Sequence, residues 1–297
     1  MNRKATIKSS LKAYMYLFPA ALIIIVFIIY PLIKSFEMSF YAKYDYFNDK
    51  VYSYGLNNYK IVLSDPKFWQ AMKNTMIFVV GVVPISIIIS IAIALMLNSK
   101  IKFKGVFRTF FFMPYVTSLV AISIVWRWIY HRDYGILNYV LGVFGIHPIA
   151  WLNDPNMSMP ALIILSIWKN IGYNVIIFLA GLQTINKQCE LAAQTDGAHY
   201  FKRVWYVTLP LLSPTTFFVA IVSVINSFKI FDEVYTLFNS GGNMAGPSDS
   251  ALTVVFYIFR KFYGEWNFGV ASAAAFILFV VIMIFTGIQF YYSRRRG

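Results

Sequence analysis

The chain has 297 residues, of which 59% are hydrophobic and only 13% are charged. Soluble domains average about half apolar and about a quarter charged residues, so this composition excludes an ordinary soluble protein. A formal net charge of +14 would suggest nucleic-acid binding in a soluble protein. Here the Lys and Arg residues cluster in short loops on one side of the predicted membrane spans, which argues against a nucleic-acid partner.

The apolar residues form long continuous runs, such as residues 22–30 and 85–97. In lipid the backbone must satisfy its own hydrogen bonds, which only helices and closed barrels achieve. These runs lack the alternation of a barrel strand. The sequence therefore predicts an all-α, polytopic membrane protein with about six transmembrane helices, forming one domain over residues 1–297. The predicted spans are residues 14–36, 71–97, 109–130, 158–182, 204–228 and 268–291.

The first predicted span follows four basic residues, which places the N-terminus in the cytoplasm by the positive-inside rule. These residues are Arg3, Lys4, Lys8 and Lys12. The apolar run is long and has no small-residue cleavage site after it, so we expect it to remain as a helix rather than be removed as a signal peptide. The next loop, residues 37–70, carries both signs of charge and says little about orientation.

The connection between the second and third spans is short and purely basic, which is a strong cytoplasmic signal. The third span ends in Trp126, Trp128 and Tyr130, an aromatic belt typical of the outer interface. The loop after it, residues 131–156, has few basic residues and several turn formers, so it is predicted to be external. The basic residues of the short connection are Lys100, Lys102, Lys104 and Arg108.

The remaining loops agree with this orientation, because the loop after the fourth span and the C-terminus are both basic. Their basic residues are Lys187, Lys202, Arg203, Arg294, Arg295 and Arg296. A long external stretch separates the fifth and sixth spans, and its residues 239–247 are rich in Gly, Ser and Asn. Residues 251–262 are apolar, and we expect them to form a short helix that dips into the membrane or lies on it.

Sequence motifs of enzymes are missing. The chain has no G-x-x-x-x-G-K-[ST] P-loop and no H-E-x-x-H zinc motif. His131, His147 and His199 fall in different predicted loops on opposite sides of the membrane, so they offer no metal site or nucleophilic triad. The single cysteine, Cys189, excludes an internal disulfide. A membrane enzyme is therefore disfavoured, and no metal or cofactor is expected.

The loop of residues 183–210 is longer than the other cytoplasmic loops and has a helical pattern. We expect a short helix through Glu190, a glycine C-cap at Gly197, and a second amphipathic stretch that leads to Pro210. The small side chains would let the backbone of another protein approach closely. A surface helix that only links two spans is an equally good interpretation on these grounds.

At this loop the chain resembles the membrane-spanning permease subunits of bacterial ABC importers. Their signature is E-A-A, three residues, Gly, nine residues and I-x-L-P, and Ala192-Ala193, Gly197 and residues 207–210 keep that spacing. Leu191 stands at the position where the signature has glutamate, and Glu190 comes one residue earlier. On a helix, a shift of one residue rotates the side-chain direction by about 100°. The resemblance therefore implies docking by small residues but no particular glutamate contact. The residues it assigns to ATPase coupling are Glu190, Leu191, Ala192, Ala193, Asp196, Gly197, Ala198, Leu209 and Pro210.

The resemblance extends over nearly the whole chain, and its order and spacing are more specific than any single piece. The carbohydrate-import branch of the family is suggested by Phe231-Asp232, Gly241-Gly242 and residues 268–273. The other matching pieces are Phe68-Trp69, Asn74-Thr75, Phe112-Met113-Pro114 and residues 135–138 and 178–182.

Membership of this family implies a type I ABC importer permease fold with both termini in the cytoplasm of a bacterium. The implied partners are a second homologous permease, two cytosolic ATPase subunits and an extracellular solute-binding protein. ATP would be bound by the partner subunits, which agrees with the missing P-loop. The chain would then be a non-catalytic half-pore in the cytoplasmic membrane for a sugar, with residues 183–210 as its coupling loop.

Polar residues at membrane depth are the candidates for substrate contact. Asn, Ser and Tyr offer the hydroxyl partners and flat faces that a neutral sugar needs, and the resemblance places such positions of the fourth and fifth spans along the sugar pathway. The candidates are Lys169, Asn170, Tyr173, Asn174, Ser223, Asn226, Ser227, Lys229 and Asp232. The alternative is that they hold helices together, with Lys169 paired to Asp232 or Glu233.

Two other transport functions stay open. A permease of the same architecture could carry a glycerol-phosphate compound or another solute, since Lys169 and Lys229 would suit a phosphate. A stand-alone secondary transporter would need no ATPase, but the internal repeat typical of such transporters is not evident.

Overall fold

The computed structural model describes residues 3–45, 48, 50–99, 102–238 and 244–294. Several residues used in the sequence argument lie outside this part of the chain. They are Asp49, Lys100, Gly241, Gly242, Arg295 and Arg296, together with the side chains of Arg3, Lys4, Lys8, Lys12 and Arg294.

Helices carry most of the described chain. In order they are α1 (Arg3–Ile24), α2 (Tyr30–Met38), α3 (Asn57–Ser64), α4 (Pro66–Asn98), α5 (Lys104–Val116), α6 (Leu119–Ile129), α7 (Ile136–Val143), α8 (Pro155–Thr184), α9 (Lys187–Thr195), α10 (Tyr200–Arg203), α11 (Leu209–Leu211), α12 (Ser213–Phe228), α13 (Asp232–Phe238), α14 (Val254–Phe259) and α15 (Phe268–Arg294). Shorter turns are the π-helical Ile25–Ile29, Val204–Thr208 and Arg260–Gly264 and the 3-10 turn Pro247–Asp249. The two strands are β1 (Tyr41–Asp45) and β2 (Lys50–Tyr54).

Four helices of the described chain are long and apolar enough to cross a membrane. They are Tyr14–Met38, Pro66–Asn98, Pro155–Thr184 and Phe268–Ser293. Two further spans result if each of two bent helix pairs counts as one, which gives six. The predicted helical membrane protein is thus confirmed, whereas the placement of its termini stays a prediction.

The two bent pairs correct the third and fifth predicted spans, for which the sequence indicated no break. Helices α5 and α6 meet at 97°, because Thr117 and Ser118 adopt extended backbone conformations. The stretch Tyr200–Leu211 meets α12 at 65°. Here Leu212 lies between Pro210 and Pro214, and each proline lacks the N–H that would continue the hydrogen-bond ladder.

The chain divides into two compact units, and the first consists of Met1–Asp65 with Lys261–Ile277. Its strands β1 and β2 form an antiparallel hairpin, in which Tyr41 is the register partner of Tyr54. The buried Asn58 side chain donates to the carbonyls of Ser39 and Tyr41, both at 3.0 Å, and ties α3 to the hairpin. The prediction of a loop over residues 37–70 is therefore wrong, since this region contains β1, β2 and α3. The mixed charges of this segment suggested a loop, although its many tyrosines favour β-strands.

The second unit, Pro66–Arg260 with Leu278–Gly297, is organised around the pairing of α4 with α8. Their shared core joins residues from the C-terminal halves of both helices with Leu212 and with Val219 of α12. Its buried members are Ala94, Leu97, Val175, Phe178, Leu179, Leu182, Leu212 and Val219. Because lipid is as apolar as these side chains, close packing rather than water exclusion holds such helices together.

Glycines set how closely the helices around α8 approach. A Cβ atom at Gly172 would overlap the backbone carbonyl of Phe111, so this glycine lets α5 press against α8. A Cβ at Gly181 would overlap the side chain of Thr215 on α12. Small residues at contact points are the usual way for membrane helices to come together.

The apolar stretch of residues 251–262 is not a helix on the membrane surface. Helix α14 spans only six residues, and its Val254, Phe256 and Tyr257 are buried within the second unit. The Tyr257 ring packs edge-on against Phe68 of α4, with ring centroids 5.6 Å apart. The surface placement is therefore wrong, because neighbouring protein covers this segment.

Polar side chains of α4 hold the loop that precedes α14. Asp249 is buried and accepts hydrogen bonds from Lys67 at 2.9 Å and from Arg260 at 3.0 Å. Asn74 donates to the carbonyls of Ser250 and Leu252, both at 3.1 Å. The loop backbone is strained, since Ser248 and Asp249 both have positive φ angles. The ion pairs and hydrogen bonds therefore hold a conformation that the chain alone would avoid.

Burial opposes ionisation of Asp249, but the hydrogen bonds from Lys67 and Arg260 outweigh it and hold its pKa below the ordinary value. A lowered folded-state pKa stabilises the fold at pH values above the unfolded pKa, and this stabilisation is lost as the pH falls through the folded pKa. We predict that Asp249→Asn, which tolerates the positive φ angle, lowers the free energy of unfolding by about 1–3 kcal/mol near neutral pH. Thermal unfolding of the purified chain at several pH values measures this, and the deficit should shrink on acidification.

The matched control is Lys34→Gln, which removes the Lys34–Glu37 pair on the exposed surface of α2. Exposed pairs contribute little, so this variant should unfold at the wild-type temperature. Equal stability of Asp249→Asn and wild type at neutral pH would show that the loop does not depend on the ion pairs.

Candidate functional site

A cavity of about 340 Å³ lies within the second unit, between α4, α5, α8, α12 and the segment that leads into α13. Its polar lining comes mainly from one face of α8 and from the end of α12. All nine residues that the sequence suggested for substrate contact line this one cavity. They are Lys169, Asn170, Tyr173, Asn174, Ser223, Asn226, Ser227, Lys229 and Asp232.

Helix α8 contributes a polar stripe with helical spacing. Ser166, Lys169, Asn170, Tyr173 and Asn174 recur at intervals of three and four residues, which places them on one side of a helix. The apolar remainder of α8 belongs to the core with α4. The sequence folds in this way because only the polar stripe gains from facing a cavity that can hold water or a polar ligand.

The end of α12 supplies the opposite wall through Ser223, Asn226 and Ser227. The helix ends at Phe228, and the Lys229 N–H caps it by donating to the Asn226 carbonyl at 3.1 Å. Lys229 therefore lies just beyond the helix, and Asp232 begins α13. Both charges stand at the edge of the cavity rather than at the centre of a membrane-spanning helix.

The charged groups of the cavity balance one another. Lys169 Nζ lies 2.7 Å from Glu233 Oε1, and both side chains are largely buried, with 17% and 14% of their surface exposed. This pair is one of the two that the sequence left open, the other being Lys169 with Asp232. Lys229 and Asp232 add one further charge of each sign. The formal charge of the lining is therefore zero.

Two buried polar atoms in the lining have no hydrogen-bond partner among the described residues. They are Ser166 Oγ and Asn174 Nδ2, in side chains that are only 1% and 3% exposed. By contrast, Asn170 donates to the Ser166 carbonyl at 2.9 Å. Buried polar groups in proteins are almost always paired with protein or water, so these two atoms are suited to a polar ligand or to water in the cavity.

An aromatic pair forms another part of the wall. The rings of Tyr115 and Tyr173 are stacked, with centroids 4.8 Å apart and an interplanar angle of 19°. Tyr115, which the sequence did not indicate, lies near the end of α5, just before the 97° bend into α6. The sequence argument also missed Ser166, although that residue continues the α8 stripe by one turn. Glu233, named from the sequence only as a possible partner of Lys169, also lines the cavity. The other lining residues that the sequence did not indicate are Phe78, Val82, Ser86, Val222, Ile230 and Phe231.

The structure has the short helix and the glycine cap that the sequence predicted in residues 183–210. Helix α9 ends at Thr195, and Gly197 follows with a φ angle of +76°. The Ala198 N–H donates to the Ala193 carbonyl, and the Gly197 N–H to the Gln194 carbonyl, both at 3.0 Å. These are the two hydrogen bonds of a Schellman motif, so glycine is required by the backbone itself.

The residues assigned to coupling divide between two environments. Glu190 and Leu191 line a second cavity, of about 630 Å³, together with the ends of α4 and α8. Ala192, Asp196 and Gly197 are exposed. The half-exposed Ala193 and Ala198 adjoin them, and Leu209 and Pro210 belong to α11 before the bend. The α9 surface that could meet another protein therefore carries small side chains and one carboxylate.

Comparison with known proteins places this arrangement among transport proteins. The lactose transport system permease protein LacF of Rhizobium radiobacter is 36% identical, over 98% of this chain and 99% of its own. The trehalose/maltose permease protein MalF of Thermococcus litoralis is 30% identical, over 96% and 95%. The sn-glycerol-3-phosphate permease protein UgpA of Agrobacterium fabrum is also 30% identical, over 95% and 94%.

Two crystal structures of a bacterial ABC transporter for the acidic polysaccharide alginate share the fold. The first has a TM-score of 0.83 at 22% identity and covers 98% of both chains. The second, in complex with an alginate pentasaccharide-bound periplasmic protein, has the same score and identity. The predicted permease fold is thereby confirmed. Residues 83–297 match the family described as "Binding-protein-dependent transport system inner membrane component". The chain therefore belongs to this family of transport-system membrane components.

Proposed function

We propose that this chain is the membrane-spanning subunit of an ATP-driven importer of a neutral sugar, in particular an oligosaccharide. The observation that carries the proposal is the single cavity in which the polar faces of α8 and α12 meet beside stacked tyrosines. Relatives named for lactose and for trehalose/maltose support a carbohydrate substrate.

The balanced charge of the cavity favours a neutral substrate over a phosphorylated one. A phosphate would need an excess of positive charge, but Lys169 is paired with Glu233, and the second cation, Lys229, shares the lining with Asp232. The relative named for sn-glycerol-3-phosphate shows that the family also includes permeases for anions. Charge in the cavity, rather than the fold, is the property that would separate these substrates.

The family membership supports a division of labour among several chains. In our proposal a second permease completes the pathway, two cytosolic ATPase subunits bind ATP, and an extracellular binding protein delivers the sugar. The chain itself catalyses no reaction and lies in the bacterial cytoplasmic membrane with both termini in the cytoplasm. The exposed surface of α9, from Ala192 to Gly197, docks to an ATPase subunit and transmits its movement.

The amide nitrogen of Asn174, which has no partner among the described residues, provides a direct test of the cavity. We predict that Asn174→Leu raises the KM for sugar uptake about fivefold, because the sugar loses one hydrogen bond. Replacement of an unpaired buried amide by an apolar group of similar shape should leave thermal stability unchanged or raise it. Uptake by the assembled transporter and thermal unfolding of the purified chain are the two measurements.

The matched control is Asn74→Leu, which removes an amide that does have protein partners in the loop before α14. It should lower thermal stability, in contrast to Asn174→Leu. If Asn174→Leu lowers stability and leaves uptake unchanged, Asn174 holds helices together and does not contact the sugar.

The ion pair of Lys169 with Glu233 should determine whether the transporter prefers neutral or anionic substrates. Glu233→Gln leaves the Lys169 ammonium unpaired beside the cavity, so we predict that the uptake ratio of a uronic-acid oligosaccharide to a neutral one rises about tenfold. Uptake of both sugars by the same preparation measures the ratio.

The control is the double variant Lys169→Met with Glu233→Met, in which the cavity is again neutral. It should prefer neutral sugars as wild type does. An unchanged ratio in Glu233→Gln would contradict a role of the pair in selecting neutral substrates.

Gly197 allows a test of the docking surface. Apart from Gly197 and its two sequence neighbours, none of the described residues has an atom within 4 Å of a Cβ placed there, so a side chain disturbs the backbone through its φ angle and any partner through its bulk. We predict that Gly197→Val releases the ATPase on purification or lets ATP be hydrolysed without transport. Gly197→Asn, which tolerates positive φ, should retain more coupling. Normal copurification and transport in Gly197→Val would rule out docking at this surface.

A further inference from the structure

The helical stretch Tyr200–Leu211 has two faces with different surroundings. Tyr200, Arg203, Val204, Val207 and Thr208 face inward and line the cavity beside α9. The opposite face carries three aromatic residues and one cation, and none of these residues lines that cavity. The outward residues are Phe201, Lys202, Trp205 and Tyr206.

The outward residues, together with His199, form a surface hollow of about 550 Å³. Phe201, Trp205 and Tyr206 expose 69%, 68% and 77% of their surface. Lys202 is exposed and forms no ion pair within the described part of the chain, and no acidic residue lines the hollow. Large exposed rings around an unneutralised cation indicate a partner that is apolar on one side and anionic on the other.

The position of the hollow selects a lipid among such partners. It lies on the segment that leads directly into α12, at the end of the bent span. Trp and Tyr are enriched where membrane spans meet the headgroups, and lysine reaches toward the headgroups with its stem on apolar surface. Anionic lipids of the cytoplasmic leaflet attract basic residues at this level. The α9 surface proposed to dock the ATPase is a different one, formed by small side chains.

We propose that this hollow binds an anionic phospholipid of the cytoplasmic leaflet. Lys202 contacts the phosphate of the headgroup, a ring N–H of His199 donates to the same group, and the three rings pack against the glycerol and acyl chains. The proposal rests on the cytoplasmic placement of this segment in the proposed function. A lipid bound here would anchor this segment to the membrane. The segment joins α9, which is proposed to dock the ATPase, to α12, which lines the first cavity.

The test measures retention of phosphatidylglycerol and phosphatidylcholine by the full chain, purified in detergent and analysed by native mass spectrometry. We expect wild type to retain phosphatidylglycerol more tightly. Lys202→Gln should weaken phosphatidylglycerol binding about fivefold, the usual effect of one basic residue near anionic lipid, and leave phosphatidylcholine binding unchanged. Trp205→Ala should weaken both lipids, because it removes apolar contact rather than charge.

The control Lys187→Gln removes the same charge from α9, where the side chain lines the other cavity. It should bind phosphatidylglycerol as wild type does. Equal retention of the two lipids by wild type, or equal loss in Lys187→Gln and Lys202→Gln, would overturn the proposal. Displacement of the lipid by millimolar inorganic phosphate would also overturn it, because the site would then recognise the anion alone.

Sidedness is checked separately with Cys189, the single cysteine of the chain and an exposed residue of α9. A membrane-impermeant maleimide should label it in inside-out vesicles and not in right-side-out ones. Labelling only in right-side-out vesicles would refute the orientation and with it the lipid site. Correct labelling without preference for phosphatidylglycerol would refute the lipid site alone.

Discussion

Hydrocarbon supplies no hydrogen bonds, so each polar side chain on a membrane-spanning helix depends on a partner inside the protein or on water in a cavity. Helix α8 shows how this constraint orders the second unit. Lys169 and Asn170 find partners in Glu233 and in the Ser166 carbonyl, while Ser166 Oγ and Asn174 Nδ2 find none among the described residues. A contact between helices accounts for Lys169 and a bond within α8 for Asn170, and neither explains the other two residues. These two polar atoms, Ser166 Oγ and Asn174 Nδ2, are the strongest support for the proposal that the cavity binds a polar ligand.

The same constraint explains why much of this arrangement could be predicted from the sequence. A polar residue within an apolar run is conspicuous, and its spacing identifies the helix face that it shares with others, as for Lys169, Asn170, Tyr173 and Asn174. The cap at Gly197 was also predictable, because it is decided by local backbone geometry. Glu233 was recognised as a partner for Lys169, but the choice between it and Asp232 depended on distances that the sequence does not contain.

What could not be predicted depends on contacts between distant segments. Proline within an apolar run is tolerated in a membrane helix when neighbours satisfy the freed carbonyls, so Pro114 and Pro210 did not identify the breaks. Tyr115 lines the cavity just before one such break, and Gly172 permits the close approach of α5 to α8. The loop around Asp249 is a similar case, since its strained backbone is held by α4 residues more than 170 positions away.

The two cavities of the second unit share their helices, and this has a mechanical consequence. Helix α8 lines the first cavity with Ser166 to Asn174 and the second cavity with Leu182 and Gln183. At about 1.5 Å per residue, these two groups lie about 12–25 Å apart along one rigid helix. Val207 and Thr208 line the second cavity. After them the chain passes through the 65° bend into α12, which lines the first cavity. A displacement of the segment from α9 to α11 could therefore reach the first cavity in two ways. It could move α8 as a rigid helix, or it could change the bend at Leu212. Tightly packed helices, such as α8 and α12 at Gly181, shift between discrete packings rather than deform smoothly. In the proposed function, a small displacement at the docking surface would therefore change the walls of the cavity.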